Sequence, residues 1–378
     1  MIPRLSGLAR CRLFLPAAVL LLFGGYIGQA PAQVSLYEQT LTVASFGGAY
    51  TRSQMLAYVR PWESSTGKAV NMVDYGGGIT EISSQVESMN VKWDVVDMEL
   101  SDLIAACDQG LLMQVDASLI ADGADGTPAS EDIPESYMQE CGYPSVVWST
   151  IMAYDKDAFP DGAPSSVVDF FNLEAYPGKR GLRRTPRGLL EWALISDGMA
   201  PRDVYSVLAT PQGVAHALEI AAPLKPHIVW WNSGNEPVDM LTKGAVTMST
   251  VWNGRIYDPI VKGNQPIGLI WDGQMVETEY WAIVADTPRL DNARDFVRFA
   301  LLTENMVEQA VHIPYGPVRK SADSFLQDDI KPYLPTSHLE SAAHVDSQFW
   351  ANNMEWINTV FEEWVTPKTS EIDRAVRF

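Results

Sequence analysis

Few residues of this sequence have the types and spacing that covalent chemistry requires. The 378 residues contain no G-x-x-x-x-G-K-[ST] loop, no H-E-x-x-H and no G-x-S-x-G turn, which are signatures of three large hydrolase classes. Five histidines, at positions 216, 227, 312, 338 and 344, do not show metal-ligand spacing. The run Tyr75-Gly76-Gly77-Gly78 precedes a helical pattern and could bind an anion, but a tight turn explains it equally well. We therefore expect neither an enzyme nor a bound cofactor or metal.

The composition is that of a folded, strongly acidic protein. Hydrophobic residues make up 47% and charged residues 20% of the chain, as in globular proteins. The length allows two domains of ~100–200 residues each. A net charge of −20 would repel phosphate backbones, so nucleic-acid binding is not expected. Twelve tryptophans and fourteen tyrosines supply both a core and the aromatic side chains that ligand sites use.

The N-terminus has the pattern of a secretory signal. Arg4, Arg10 and Arg12 precede an apolar run over residues 13–27, and Ala30-Pro31-Ala32 provides an A-x-A cleavage site. The alternative is an uncleaved membrane anchor, but the run is short for a span of ~20 residues. The pattern predicts a signal peptide over residues 1–32 and an exported mature protein.

Export would leave two cysteines, Cys107 and Cys141, because Cys11 is removed with the signal. An even number of cysteines in an oxidising compartment favours a disulfide bond between them. Two buried, unreactive thiols are the alternative.

The hydrophobic pattern alternates between strands and helices in two blocks. A helix is expected from Ala49 to about Ser64, another from about Leu290 to Leu302, and a C-terminal packing helix through Phe349, Met354, Ile357 and Phe361. The expected strands are Leu41–Phe46, Val70–Asp74, Trp93–Met98, Val146–Tyr154, Gly181–Arg184, Ile228–Trp231, Val246–Val251, Ile267–Trp271 and Tyr280–Val284. This rhythm predicts an α/β fold with mostly parallel sheets flanked by helices, and a ligand site in the cleft between two lobes.

From Leu41 to about Lys320 the sequence resembles the periplasmic solute-binding proteins of ABC importers, specifically the spermidine/putrescine type. The resemblance is carried by the segments Leu41–Tyr50, Trp93–Glu99, Trp148-Ser149-Thr150 with Tyr154-Asp155, Trp252-Asn253-Gly254-Arg255, Glu279–Ile283 and Tyr315-Gly316-Pro317. It implies a class II-like, two-lobed periplasmic-binding-protein fold with a two-strand hinge. The expected lobes are residues 33–150 with 281–378, and residues 151–280, with crossings near 146–154 and 272–284. It also implies a monomer that delivers a small solute to a membrane permease.

The resemblance also places candidate ligand-binding residues at the cleft. The aromatic candidates are Phe46, Tyr50, Trp148, Trp252, Trp281 and Tyr315, and the others are Gly47, Gly48, Glu99, Asn253, Arg255 and Glu279. Aromatic planes would cover the methylene groups of an amine and hold its ammonium. For each tryptophan, plain core packing is the alternative.

Two charged positions indicate which ligand to expect. Glu279 matches a family acid that binds ammonium, whereas Arg255 stands where similar polyamine receptors tend to have aspartate. Arginine binds a carboxylate with two hydrogen bonds, so the pair suits a zwitterion such as an ω-amino acid better than a polyamine. An internal ion pair of Arg255 with Glu99 or Asp272 is the alternative.

The sequence leaves other ligands and one other activity open for the cleft. The same fold could bind an anion, a metal or a thiamine-like ligand, although the sequence lacks the adjacent tyrosines of ferric-ion binders. An exported hydrolase is a further alternative. The roles of Asp97, Asp272 and Glu277, which lie near the expected cleft, are not assigned by the sequence.

Overall fold

The computed structural model describes residues 40–366, so the predicted signal peptide over residues 1–32 lies outside the described residues. The strands are β1 (Leu41–Ser45), β2 (Val70–Asp74), β3 (Val95–Glu99), β4 (Tyr143–Asp155), β5 (Arg180–Arg183), β6 (Ile228–Trp231), β7 (Met248–Trp252), β8 (Ile267–Ile283), β9 (Gly316–Pro317) and β10 (Ala343–His344). Their order is β2-β1-β3-β8-β4-β7-β5-β6, with β10 beside β8 and β9 beside β4. We call β1, β2 and β3 the first half of the sheet and β5, β6 and β7 the second half.

Two long strands join these halves. β4 and β8 pair antiparallel along most of their length, and their register shifts between Thr150 and Met152, opposite the bend that contains Gly273 (φ +65°). β8 also pairs antiparallel with β3, and β4 with β7, whereas the pairs within each half are parallel. The sheet is therefore mixed, because each crossing strand enters a half in the opposite direction. The two strands expected at 267–271 and 280–284 are parts of the single strand β8.

Helices cover both faces of the sheet. They are α1 (Gly48–Gln54), α2 (Arg60–Thr66), α3 (Thr80–Glu87), α4 (Leu100–Asp108), α5 (Ala129–Asp132), α6 (Val167–Phe171), α7 (Leu189–Ser196), α8 (Val204–Leu208), α9 (Pro211–Ala221), α10 (Glu236–Thr242), α11 (Asn253–Val261), α12 (Leu290–Ala300), α13 (Thr303–His312) and α14 (Ser347–Val365). Within residues 40–366, no helix combines the length and the apolar character needed to cross a bilayer.

Helices α1 and α2 are one continuous helical run joined by a π-helical turn, Met55–Val59. The turn lies just before Pro61, which lacks an N–H and whose ring would clash with the carbonyl four residues earlier in a regular α-helix. Gly67, with φ +71°, ends the run in a left-handed cap, as its position in the sequence predicts.

The apolar cores lie on the two halves of the sheet. Leu41, Tyr58, Trp62 and Phe296 belong to a core on one face of the first half. The C-terminal helix α14 packs elsewhere: its Phe349, Trp350, Ile357 and Phe361 join Leu182, Leu208 and Leu218 in the core of the second half. The apolar face of α14 is therefore buried against the second half, whereas the expected lobes place residues 281–378 in the first.

The predicted disulfide bond is confirmed. Cys107, near the end of α4, bonds to Cys141, just before β4, with their Cα atoms 5.7 Å apart. The bond ties a helix of the first half to the start of a crossing strand.

We expect the Cys107→Ser/Cys141→Ser double variant to lose about 3–4 kcal/mol of unfolding free energy, because a cross-link over about 35 residues restricts the unfolded chain. Urea unfolding of the oxidised wild type and the double variant measures this difference. The reduced wild type serves as the control and should match the variant. Equal midpoints for the oxidised wild type and the variant would contradict the expectation.

Candidate ligand-binding site

A cavity opens where β1, β3 and β7 end and the crossing strands pass. The empty space among its lining side chains, open solvent included, is about 240 Å³. Eight of the twelve predicted ligand-binding residues line it: Phe46, Tyr50, Glu99, Trp148, Trp252, Arg255, Glu279 and Tyr315. The structure thus brings together the predicted arginine, the predicted glutamate and most of the predicted aromatic residues.

Aromatic rings form much of the cavity wall. Trp252 lies edge-to-face with Phe46, Trp148 and Trp231, at ring-centre distances of 6.4, 5.9 and 5.6 Å. The indole nitrogens of all three tryptophans are buried and have no hydrogen-bond partner. Trp231 is fully buried behind Trp252 and lies outside the cavity lining.

Arg255 lies in the first turn of α11 and reaches towards the loop after β1. Its Nη2 donates to the carbonyl of Phe46 at 3.2 Å, its Nη1 lies 3.4 Å from Oδ1 of Asn235, and its guanidinium lies 5.3 Å from the ring centre of Trp252. Its Nε is buried without a partner. None of the ion pairs within residues 40–366 includes Arg255, so the alternative pairing with Glu99 or Asp272 is not found. A cation at a helix N-terminus favours an incoming anion.

The glycine pair after β1 leaves room for this arginine. A Cβ added to Gly48 (φ +59°) would lie 2.5 Å from Nη1 of Arg255, and one added to Gly47 (φ +69°) would lie 3.0 Å from the Asp74 carboxyl group. Both positions adopt left-handed backbone conformations that favour glycine. The pair, which lies just outside the cavity lining, therefore lets the arginine approach the chain.

Two buried carboxyl groups lie near the cavity, one on the crossing strand β8 and one on β3. Glu279 on β8 is 4% exposed and Asp97 on β3 is fully buried. Burial raises the pKa of Glu279 well above its usual value, and the neighbouring Asp97 raises it further. Burial also raises the pKa of Asp97 to about 7, although hydrogen bonds from Tyr50, Gln54 and Ser45 oppose the increase. One oxygen of each group, Oε2 of Glu279 and Oδ1 of Asp97, has no partner.

Glu99 also lines the cavity, but its charge is already balanced. It forms ion pairs with Arg187 and, at 3.2 Å, with Arg183, and Arg187 also binds Glu277 at 2.9 Å. Glu277 is therefore a structural ion-pair partner, and Glu99 connects the first half of the sheet to arginines beside the second. Asp272, the third unassigned acid, accepts a hydrogen bond from the backbone N–H of Val167 and so caps α6.

Two predicted site residues lie away from the cavity lining. Trp281 is fully buried in the core of the first half, where its ring packs edge-to-face on Tyr58 and Phe296. It shares a strand face with Glu279 but lies two residues, about 7 Å, further along the strand. Asn253 uses its side chain to accept from the N–H of Ser149 and to donate to the carbonyls of Pro314 and Tyr333. Core packing and loop anchoring therefore account for these two side chains.

The arrangement can bind groups of opposite charge. Arg255 and Glu279 border one aromatic cavity, each with a buried atom that has no partner, and the buried Asp97 lies behind Glu279 outside the lining. Among the described residues, no group of three or more His, Cys, Asp or Glu side chains could hold a metal ion. The unpartnered atoms point to a ligand that supplies both an anion and a hydrogen-bond donor, since buried polar groups are normally satisfied.

Comparison with known proteins gives the family. The profile of the bacterial extracellular solute-binding proteins matches residues 57–336. This chain belongs to that family. A gamma-aminobutyric acid-binding protein of Pseudomonas aeruginosa PAO1 is 38% identical to this chain. The alignment spans 346 residues, which are 91% of this chain and 95% of the relative. The family match confirms the prediction of a solute-binding protein rather than an enzyme.

Solved structures confirm the periplasmic-binding-protein fold. The PBP AgtB of A. tumefaciens R10, solved in complex with agropinic acid, is 26% identical, with a TM-score of 0.76, over 86% of this chain and 98% of that one. A putative spermidine/putrescine ABC transporter protein of Listeria monocytogenes reaches a TM-score of 0.69 at 16% identity, over 86% of this chain and 98% of that one. The latter likeness shows the fold alone, so the expected spermidine/putrescine subtype gains no support beyond the fold.

Proposed function

We propose that this chain is the periplasmic solute-binding component of an ABC importer and that it binds an ω-amino acid of the γ-aminobutyrate type. The carrying observation is that Arg255 and Glu279 line one cavity with Nε and Oε2 left without partners. A carboxylate would bind the guanidinium, and an ammonium would bind the glutamate. The 38% identical relative, a gamma-aminobutyric acid-binding protein, supports the same ligand class.

A diamine such as putrescine fits the cavity less well on electrostatic grounds. Its second ammonium would lie near Arg255, which has no ion-pair partner within the described residues and would repel it. A carboxylate at that end instead meets a cation at the N-terminus of α11. The cavity therefore favours a zwitterion over a polyamine of equal length.

The two halves of the sheet are proposed to act as two lobes that close on the ligand and then dock, as a monomer, on a membrane permease. The boundaries near residues 150 and 281 remain part of this proposal, with α14 moved to the second lobe. The ion pairs of Glu99 with Arg183 and Arg187 would form as the lobes close.

Calorimetric titration with γ-aminobutyrate, putrescine and butyrate tests the ligand class. We expect γ-aminobutyrate to bind most tightly, because only it presents both charges. Native mass spectrometry of the purified protein would reveal a ligand that co-purifies. Putrescine binding that is tighter than γ-aminobutyrate binding would contradict the proposal.

Arg255→Ala should weaken γ-aminobutyrate binding by about 2–5 kcal/mol, roughly 30-fold or more, because the ligand carboxylate would be buried without its partner. The matched control is Arg202→Ala, since Arg202 is 86% exposed and pairs only with its neighbour Asp203. The control should keep wild-type affinity. An unchanged dissociation constant for Arg255→Ala would show that the carboxylate does not bind there.

Gly48→Ala should weaken γ-aminobutyrate binding because the new methyl group displaces the tip of Arg255. Gly67→Ala is the matched control: Gly67 also has a positive φ, of +71°, but a Cβ there meets nothing within 4 Å. Both variants should lose about 1–2 kcal/mol of unfolding free energy, because alanine is strained at both of these left-handed backbone positions. Equal affinities of the two variants would rule out the proposed effect of Gly48 on Arg255.

A further inference from the structure

Two carboxyl groups lie on one face of the sheet near Glu279: Glu279 itself lines the cavity, and Asp97 is fully buried just outside the lining. In the antiparallel pairing of β3 with β8, Asp97 lies opposite Trp281, and Glu99 lies opposite Glu279. Opposite residues share a face, so Asp97 and Glu279 are diagonal neighbours, with Cα atoms about 7–8 Å apart. Asp97 is thus placed to act with Glu279.

Both carboxyl groups are buried beyond nine-tenths and only partly satisfied. Oδ2 of Asp97 accepts from Nε2 of Gln54 at 2.6 Å and from Oγ of Ser45 at 3.3 Å, while its Oδ1 has no partner. Oε2 of Glu279 also has no partner. The ion pairs of the described residues include neither group. Oδ1 of Asp97 and Oε2 of Glu279 are therefore buried acceptors without a donor.

The arginines nearest to this carboxyl pair bind other groups. Arg187 binds both Glu99 and Glu277, and Arg183 binds Glu99 while lying 5.1 Å from the ring centre of Trp252. Arg255 contacts the Phe46 carbonyl. From its ion pairs Arg187 still lowers the pKa of Glu279, but by less than burial, Asp97 and Glu277 raise it.

The remaining titratable groups around the pair are acids and phenols. Asp102 follows β3 in α4 and Glu277 precedes Glu279 on β8, and both raise the pKa of Glu279. The facing phenols are Tyr50, Tyr58, Tyr75 and Tyr315, whose pKa values burial raises above the usual value, so they stay neutral near pH 7. The local environment thus favours protonation of the carboxyl pair when no ligand is bound.

We propose that Asp97 and Glu279 together bind the ligand's ammonium group, and that the ammonium displaces a proton from this carboxyl pair on binding. This inference rests on the proposed function, because it assumes an amine-bearing ligand. The proton passes to solvent, and the ligand keeps all three ammonium protons. These protons supply donors for the two unpartnered oxygens.

The exchange follows from the cost of burying negative charge. Two neighbouring carboxylates in a low-dielectric site do not both ionise readily, so the empty pair keeps a proton that water would remove from an exposed acid. An ammonium beside the pair stabilises the ionised form and lowers its proton affinity. Ligand and proton therefore compete for the same position.

The sign of the pH dependence follows from this competition. Below the pKa of the pair in the empty protein, each ligand must release a proton, so affinity rises with pH by up to about tenfold per unit. Above that pKa the pair is already ionised and affinity becomes constant. Because burial raises the pKa of Asp97 to about 7 and that of Glu279 well above its usual value, the change should extend through neutral pH.

Calorimetric titration at pH 6.5 in two buffers with different ionisation enthalpies counts the protons released. We use γ-aminobutyrate and putrescine as separate probes, since both carry an ammonium group. The expected result is release of close to one proton per bound ligand, and a dissociation constant that rises as pH falls. Binding whose heat is the same in both buffers, and whose dissociation constant does not change with pH, overturns the inference while leaving the proposed function intact.

Asp97→Asn tests the residue assignment. Asparagine keeps a similar shape but cannot titrate, and it frees Glu279 from a neighbouring charge, so proton release and the pH dependence should both fall sharply. Glu81→Gln, an exposed acid on α3, is the control and should behave as wild type. If Asp97→Asn folds and still releases a full proton, Asp97 does not share the site. The wild-type measurement decides the inference even if this variant does not fold.

The outcomes separate the two proposals. Failure of both probes to bind overturns the amine-binding function and the inference with it. Tight putrescine binding with proton release contradicts the zwitterion preference but supports the carboxyl pair as the ammonium site.

Discussion

Buried opposite charges without internal partners are the constraint on which the rest of this structure depends. Arg255 and Glu279 line the same aromatic cavity, yet each leaves a buried polar atom unpaired. A buried charged group without a partner costs free energy. A ligand with both a carboxylate and an amine would remove this cost at both ends of the cavity. Ligand selection then follows from electrostatics, and the indole rings limit the size of the molecule.

The fold supplies the two charges from different directions. Arg255 comes from α11, which follows β7 of the second half, whereas Asp97 lies on β3 of the first half and Glu279 on the crossing strand β8. Because β8 lies between β3 and β4, it links the carboxyl pair to both halves. The unpaired groups meet only where the halves meet, which lets one small ligand connect them.

Much of this arrangement could be predicted from the sequence. The alternation of strands and helices, the disulfide bond and the placement of Arg255 beside aromatic residues were available from local patterns and from the resemblance to solute-binding proteins. The sequence did not predict how deeply each side chain is buried. Trp281 shares a strand face with Glu279, but its ring packs edge-to-face on Tyr58 in the core. The position of α14 was equally hidden, since an amphipathic pattern shows that a face is buried but not against which core.

A crystal structure of the protein with γ-aminobutyrate tests the central claim most directly. The account predicts the carboxylate against the guanidinium of Arg255 and the ammonium within hydrogen-bond distance of Glu279, with the methylene groups against the rings of Trp148 and Trp252. A ligand bound in the reverse orientation, or outside the cavity that these side chains line, would contradict it.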